Sequence, residues 1–162
     1  MKLWLAPLTT RDIVSLEIAQ TIPKAEALME RFAAQGLIEN LLYSIYGDFL
    51  FILLYCWLLI VAIRYLARLS GQDLLMRAAR FFTFIVIMAG ICDVIENILL
   101  LQMLSGRMPE MVVRMAYNFA TAKFSMLIMT ALLLLVELIF VALALLTVRY
   151  RVAKKSNYMN DL

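Results

Sequence analysis

Three apolar blocks, at about residues 41–69, 78–104 and 126–148, set what this chain can fold into. Each is long enough to cross the roughly 30 Å hydrocarbon core of a bilayer, which takes about 20 helical residues. Backbone polar groups surrounded by lipid must be satisfied within the segment, so such blocks fold as helices. The chain has 162 residues and is 65% hydrophobic. A soluble domain is nearer about 45–50% apolar, and here the excess lies in the blocks rather than being spread. The expected fold is an all-α integral membrane protein. It is an antiparallel bundle of three transmembrane helices, the third unusually long, preceded by an N-terminal amphipathic helical segment. Residues 1–40 form the amphipathic region at the membrane interface, 41–150 the bundle, and 151–162 a polar, frayed tail.

The first 40 residues are mixed. Thr10 is placed to cap a short helix over 11–20, and a clearer helix lies between Pro23 and Gly36. Proline suits a first helical turn and glycine the position just past the end. Ala25, Leu28, Met29, Phe32 and Ala33 repeat at helical spacing, while Lys24, Glu26, Glu30, Arg31 and Gln35 cover the other face. Such a helix is too polar to cross a membrane and lies at the interface or over the bundle. Met1-Lys2 and a short apolar run to Leu8 do not read as a cleavable signal, so the first span directs insertion.

The first span has its apolar heart at 49–63, between Asp48 and Arg64, and stops at Ser70-Gly71-Gln72-Asp73. The second is entered past Arg77 and Arg80 and closes on a tight turn, Ser105-Gly106-Arg107-Met108-Pro109. No glycine or proline interrupts 110–150, so the third helix runs about 60 Å, twice the hydrocarbon thickness. Arg64, Arg68, Arg77 and Arg80 flank the first connection, and Arg149, Arg151, Lys154 and Lys155 follow the third helix. Basic residues stay on the cytoplasmic side, so the expected orientation is multi-pass with a cytoplasmic C-terminus. Arg107 and Arg114 then lie outside, with the N-terminal region.

Against this apolar background Asp93-Val94-Ile95-Glu96-Asn97 is an anomaly. One ionisable residue at membrane depth costs roughly 2.5–3.5 kcal/mol on insertion scales, so such residues are rare and functional by default. At about 100° per residue Asp93, Glu96 and Asn97 share one face of the second helix, and Gly90 lies on the same side, where it admits a close neighbour. Thirteen residues separate Arg80 from Asp93 and sixteen separate Arg64 from Asp48, so Asp48 and the Asp93/Glu96 pair fall at similar depth, in the outer half of the bilayer. Ser44 and Tyr55 share the Asp48 face. On the third helix Ala116, Lys123, Thr130, Glu137 and Ala144 form a heptad-spaced stripe. Lys123 is the expected cationic partner of Asp48, Asp93 or Glu96, and Glu137 lies deeper, toward mid-membrane. Asp48, Asp93, Glu96, Asn97, Lys123 and Glu137 are thus the candidate ligand- or ion-binding residues. A purely structural network is the competing reading, although interhelical polar contacts in membranes contribute only about 0.6 kcal/mol on average.

The chain contains no histidine. That removes the usual haem ligand, the commonest zinc ligand and the usual general base. Cys56 and Cys92 lie in apolar blocks with no Cys-x-x-Cys pairing and read as buried thiols. Neither a metal nor a cofactor is expected. The net charge of +3 sits beside the spans, which argues for the lipid bilayer as partner and against nucleic acid.

Leu16-Glu17-Ile18-Ala19-Gln20-Thr21 with Ala25, Asp48-Phe49-Leu50-Phe51 with Tyr55, Gly90-Ile91-Cys92-Asp93-Val94-Ile95-Glu96-Asn97 and Ala122-Lys123-Phe124 occur in that order. Over roughly residues 16–125 the chain resembles a family of small, largely uncharacterised bacterial multi-pass membrane proteins with an intramembrane Asp-x-x-Glu-Asn element. The resemblance implies a bacterial inner-membrane location and implies that Asp48, Asp93, Glu96, Asn97 and Lys123 form one site, and it implies no particular activity.

Three functions follow as expectations. The first is a buried acidic, amide and lysine pocket that binds or passes a cation, a proton or a polar lipid headgroup, with the amphipathic helix as lid. The second is an accessory or assembly subunit, as a homo-oligomer or beside a partner membrane subunit. The third is an intramembrane enzyme using carboxylate acid/base chemistry on a lipid.

Overall fold

The computed structural model describes residues 10–106 and 108–160, with side chains over 12–106 and 108–147. Five helices follow one another: α1 (Thr10–Glu17), α2 (Ile22–Ala34), α3 (Ile38–Ser70), α4 (Asp73–Leu104) and α5 (Glu110–Asn160). Among the described residues there is no strand. Residues Ile38–Ser70, Asp73–Leu104 and Glu110–Thr147 are long and apolar enough to cross a membrane, as expected of a three-span bundle. The readings made of residues 1–9, and of Arg107, lie outside the described residues.

Glycine sets the breaks. Gly36 has φ +66°, which glycine adopts without penalty. Gly36 donates its N–H to the Ala33 carbonyl and Leu37 donates to Phe32, a pair of bonds that satisfies the last carbonyls of α2 and turns the chain into α3. Gly71, at φ +65°, donates to the Arg68 carbonyl and ends α3, while the Gln72 N–H donates to Ser70 Oγ, leaving a two-residue link that makes α3 and α4 antiparallel neighbours. α3 and α4 begin at Ile38 and Asp73, a few residues before the apolar blocks expected from about 41 and 78, since helix propagation does not depend on apolarity.

Two boundaries differ from expectation. α1 ends at Glu17 rather than near residue 20. The tail expected to fray from residue 151 instead continues α5 to Asn160. Arg151, Ala153, Lys154 and Lys155 are good helix formers on an existing helix, and no glycine or proline stops propagation.

α1 and α2 cap one end of the bundle. Leu16, Ala25, Met29 and Phe32 join Leu41, Ile45, Leu100, Met103, Val113 and Ala116 in one buried cluster. Thus the apolar face of α2 rests on protein, and its polar residues Lys24, Glu26, Glu30 and Arg31 are exposed. Full burial of side chains the size of Phe32 and Leu16 contributes about 1.5–3 kcal/mol each where the alternative is water.

Within the bundle small residues set the spacing. A Cβ on Gly90 would lie 2.7 Å from Cys56 Sγ and 3.5 Å from Ile52 Cγ2, so glycine is what allows α3 and α4 to approach there. The Cys56 thiol donates to the Val86 carbonyl at 3.6 Å, and both Cys56 and Cys92 are free. At the other end Ala67, Leu75 and Ala79 pack with Leu133 of α5. The residues of α5 beyond Leu133 extend about 40 Å, so the helix passes well beyond the α3–α4 turn.

Candidate functional site

Three helices and the short α1 converge on Lys123. It lies on the buried stripe of α5, between Ala116 and Thr130, and is 5% exposed. Its Nζ donates to Asp93 Oδ1 at 2.7 Å and stands 2.8 Å from Glu96 Oε2. Asp93 and Glu96 are one helical turn apart on α4, so both point to the same side and both reach the ammonium. The Tyr55 hydroxyl of α3 donates to Asp93 Oδ2 at 2.9 Å, giving the second oxygen of that carboxylate its own partner. One turn beyond Asp93, Asn97 Nδ2 donates to Asp48 Oδ2 at 2.8 Å and ties α4 to α3.

This arrangement brings together five of the six residues read from the sequence: Asp48, Asp93, Glu96, Asn97 and Lys123. The equal depth of Asp48 and the α4 acids follows from counting residues back from the arginines, and the Asn97–Asp48 bond joins them at that level. Lys123 pairs with Asp93 and Glu96, while Asp48 is held by the amide instead.

Glu137 does not belong to this site. It is fourteen residues, about 21 Å, along α5 from Lys123. One turn before it, Leu133 packs against Ala67, Leu75 and Ala79, which puts Glu137 level with the α3–α4 turn rather than at mid-span. It is fully buried, and neither carboxyl oxygen has a hydrogen-bond partner among the described residues. The heptad stripe correctly puts Lys123 and Glu137 on one buried face, but two residues on one face of a long helix need not share a site.

Glu17 is the member that sequence reasoning missed. Its Oε2 lies 3.6 Å from Lys123 Nζ, too long for a hydrogen bond but close enough for an ion pair, and the residue is 8% exposed. A signal was present: Glu17 follows Ile13 and Leu16 at i+4 and i+1, on the apolar stripe of α1, where an acid is out of place. Burial pushes its carboxyl above the usual value of 4.5 against the opposing pull of Lys123, and the Asp93 and Asp48 charges raise it further.

Glu17, Asp48 and Asn97 also line a cavity of about 160 Å³ with Ser44, Ile13, Val14, Ile45 and Leu100. It lies between α1 and the Asp48 ends of α3 and α4, with Glu17 joining it to Lys123. Four carboxylates therefore meet one lysine, one amide donor and the Tyr55 hydroxyl. Among the described residues Glu96 Oε1 and Glu17 Oε2 have no hydrogen-bond partner, so acceptors outnumber donors. Such a site can take up protons, hold water or accept a small cation. Among the described residues no three or more Asp, Glu or Cys side chains are arranged to hold a metal ion.

No family model, no curated protein and no solved structure matches this chain, so the assignment of a role rests on the site's own geometry.

Proposed function

We propose that this protein binds a proton or a small monovalent cation within the membrane, at the cluster of Glu17, Asp48, Asp93, Glu96, Asn97 and Lys123. The observation that carries the reading is the excess of buried carboxylates over the single lysine, beside a polar cavity. Lys123 neutralises one negative charge, and the remaining acids need protons or a cation to be stable at low dielectric. A cavity near 160 Å³ suits an ion with a few waters. It is below the roughly 300–1,000 Å³ of sites that take larger ligands, which disfavours a whole lipid headgroup or an enzymatic lipid substrate. α1, rather than the amphipathic helix α2 expected from the sequence, acts as the lid, because its Glu17 contributes to both the cavity and the lysine.

In this reading the arginine-bearing α3–α4 turn and the C-terminus face the cytoplasm of a bacterial cell, and the acidic cavity faces the opposite side. The resemblance of the Asp-x-x-Glu-Asn element to one in other small membrane proteins then marks a shared cation- or proton-binding core.

Thermal unfolding of detergent-purified protein tests the proposal. Sodium, potassium and bulky organic cations are compared at equal ionic strength, over a range of pH. Wild type is expected to respond to pH or to one small cation, and Asp93→Asn and Glu96→Gln to blunt that response. Identical, ligand-insensitive curves for all three proteins would sink it.

One observation favours a second reading, an assembly subunit. α5 passes beyond the α3–α4 turn with Leu138, Ile139, Leu143, Leu145 and Leu146 exposed around it, a surface that a partner helix would cover. Native mass spectrometry after mild extraction tests this: a lone monomer counts against it.

A further inference from the structure

At the end of the bundle opposite the acidic cluster, four arginines surround a groove. Arg64 and Arg68 stand one turn apart on the last turns of α3, and Arg77 and Arg80 stand at i, i+3 on the first turns of α4. Each pair therefore shares a helix face. The two-residue link at Gly71-Gln72 folds α4 back on α3, and the small residues Ala67 and Ala79 let the helices close together. The result is a groove of about 380 Å³ lined by all four arginines with Ala67, Asp73, Met76 and Ala79. Among the described residues Asp73 is the only acid in its lining. None of the four arginines forms an ion pair among the described residues. Four cations converging on a groove with a single acid, and paired with none, repel each other, and an anion between them removes that cost.

The chemistry of the lining specifies the anion. Guanidinium groups are planar forks that match the oxygens of a phosphate two at a time. Basic pockets between membrane helices bind phospholipid headgroups. The groove lies at the ends of two spans, where headgroups reside, and Tyr65, Leu69, Leu74 and Phe81 on the same helix ends are exposed apolar surface for acyl chains. Orientation in the membrane by itself asks only for positive charge in the connection, which lysine supplies as well as arginine and without a groove.

We propose that the Arg64/Arg68/Arg77/Arg80 groove binds a phosphate-bearing anion, and that its occupant in the membrane is the headgroup of an anionic phospholipid. This site is separate from the acidic cluster, about 20 Å away along α4 from Arg80 to Asp93, and does not depend on what that cluster binds.

The test uses the full chain purified in mild detergent, with phosphatidylglycerol, phosphatidylcholine or inorganic phosphate added, read by native mass spectrometry and by thermal unfolding. The variants are Arg68→Gln/Arg77→Gln and Arg68→Lys/Arg77→Lys. All four positions are exposed, so unfolding without lipid is expected to match wild type. The lysine pair also preserves the charge that orients the chain. Wild type is expected to retain one phosphatidylglycerol at least about tenfold more tightly than phosphatidylcholine, with the glutamine pair losing about tenfold and the lysine pair falling between. Retention of lipid that free phosphate does not displace supports a phospholipid occupant. Equal stabilisation by free phosphate, lost in the glutamine pair, supports the same phosphate site with a soluble occupant. Equal retention of the two lipids by wild type, or undiminished retention by the glutamine pair, overturns the proposal.

Discussion

Glu96 and Glu137 are both fully buried carboxylates on long apolar helices, yet their surroundings are opposites. Glu96 lies 2.8 Å from the Lys123 ammonium, in a cluster fed by four helices. Glu137 has no ion pair and no hydrogen bond among the described residues. A buried acid is thus not one kind of object. Beside a lysine it belongs to a charge network whose parts depend on each other, and alone it is a polar group enclosed by apolar packing at a net cost. The contrast predicts opposite responses to similar substitutions.

The largest effect is expected at Lys123. Lys123→Met leaves Asp93, Glu96 and Glu17 facing each other without their cation, and loss of one partner from a buried pair costs about 3–5 kcal/mol. Unfolding in detergent should record that loss, and adding Glu96→Gln to Lys123→Met should recover part of it. Additive losses would show that the four groups are not one network.

Glu137→Leu has the opposite sign. It removes an unpartnered carboxyl at nearly constant volume, and stability is expected to rise by about 1–3 kcal/mol in the same assay. A loss comparable to that of Lys123→Met would mean that Glu137 has a partner outside the described residues, and the comparison would collapse.

Between the two regions, Gly90 sets how closely α3 and α4 approach. Gly90→Val is expected to cost about 1–3 kcal/mol through overpacking against Cys56, and Gly90→Ala less. Cys56→Ala in the Gly90→Ala background should restore most of the smaller loss. If it does not, the contact with Cys56 is not what limits the approach.

The pH dependence isolates α1. Glu17 has a folded-state carboxyl raised above its unfolded value, so the folded chain holds more protons than the unfolded one in the window that begins at 4.5 and extends upward to the raised value. Stability from this group is therefore highest at acid pH and falls as pH rises through that window. Glu17→Gln should flatten this part of the stability curve, and an unchanged slope would remove Glu17 from the site. The smallest effect belongs to the Arg31–Asp12 pair, at 2.7 Å but half exposed on the arginine side. Arg31→Gln is expected to cost less than about 1 kcal/mol.

The same two glutamates also mark how far the sequence could be read. Burial and helix face came from spacing alone: Asp93, Glu96, Asn97, Lys123 and Glu137 all face inward on the helices assigned to them. Depth matching from the arginines puts Asp48 level with Asp93 and Glu96, and the structure pairs it with Asn97, the neighbour of Glu96. Partnering was less legible, because it depends on how far α5 slides along α4, and nothing in a one-dimensional period fixes that slide. Hence spacing alone groups Glu137 with a cluster it does not reach. Glu17 was missed for a different reason: α1 is eight residues long, too short for periodicity to stand out, and its position over the cluster comes from the packing of Leu16 on the bundle. The arginines were legible as orientation signals. Their convergence on one groove required the short Gly71-Gln72 link to be seen as a hairpin.

The central claim is that the acidic cluster exchanges a proton or small cation. Difference infrared spectroscopy of the carboxyl C=O stretch in phosphatidylcholine vesicles, titrated with alkali and then with sodium or potassium, reads it most directly. The account predicts a protonated-carboxyl band that is lost on titration and reduced in Glu17→Gln/Asp48→Asn, while the Glu137→Leu variant retains that titrating band. A spectrum that does not change with pH or cation, or a titrating band that vanishes only in Glu137→Leu, would contradict it.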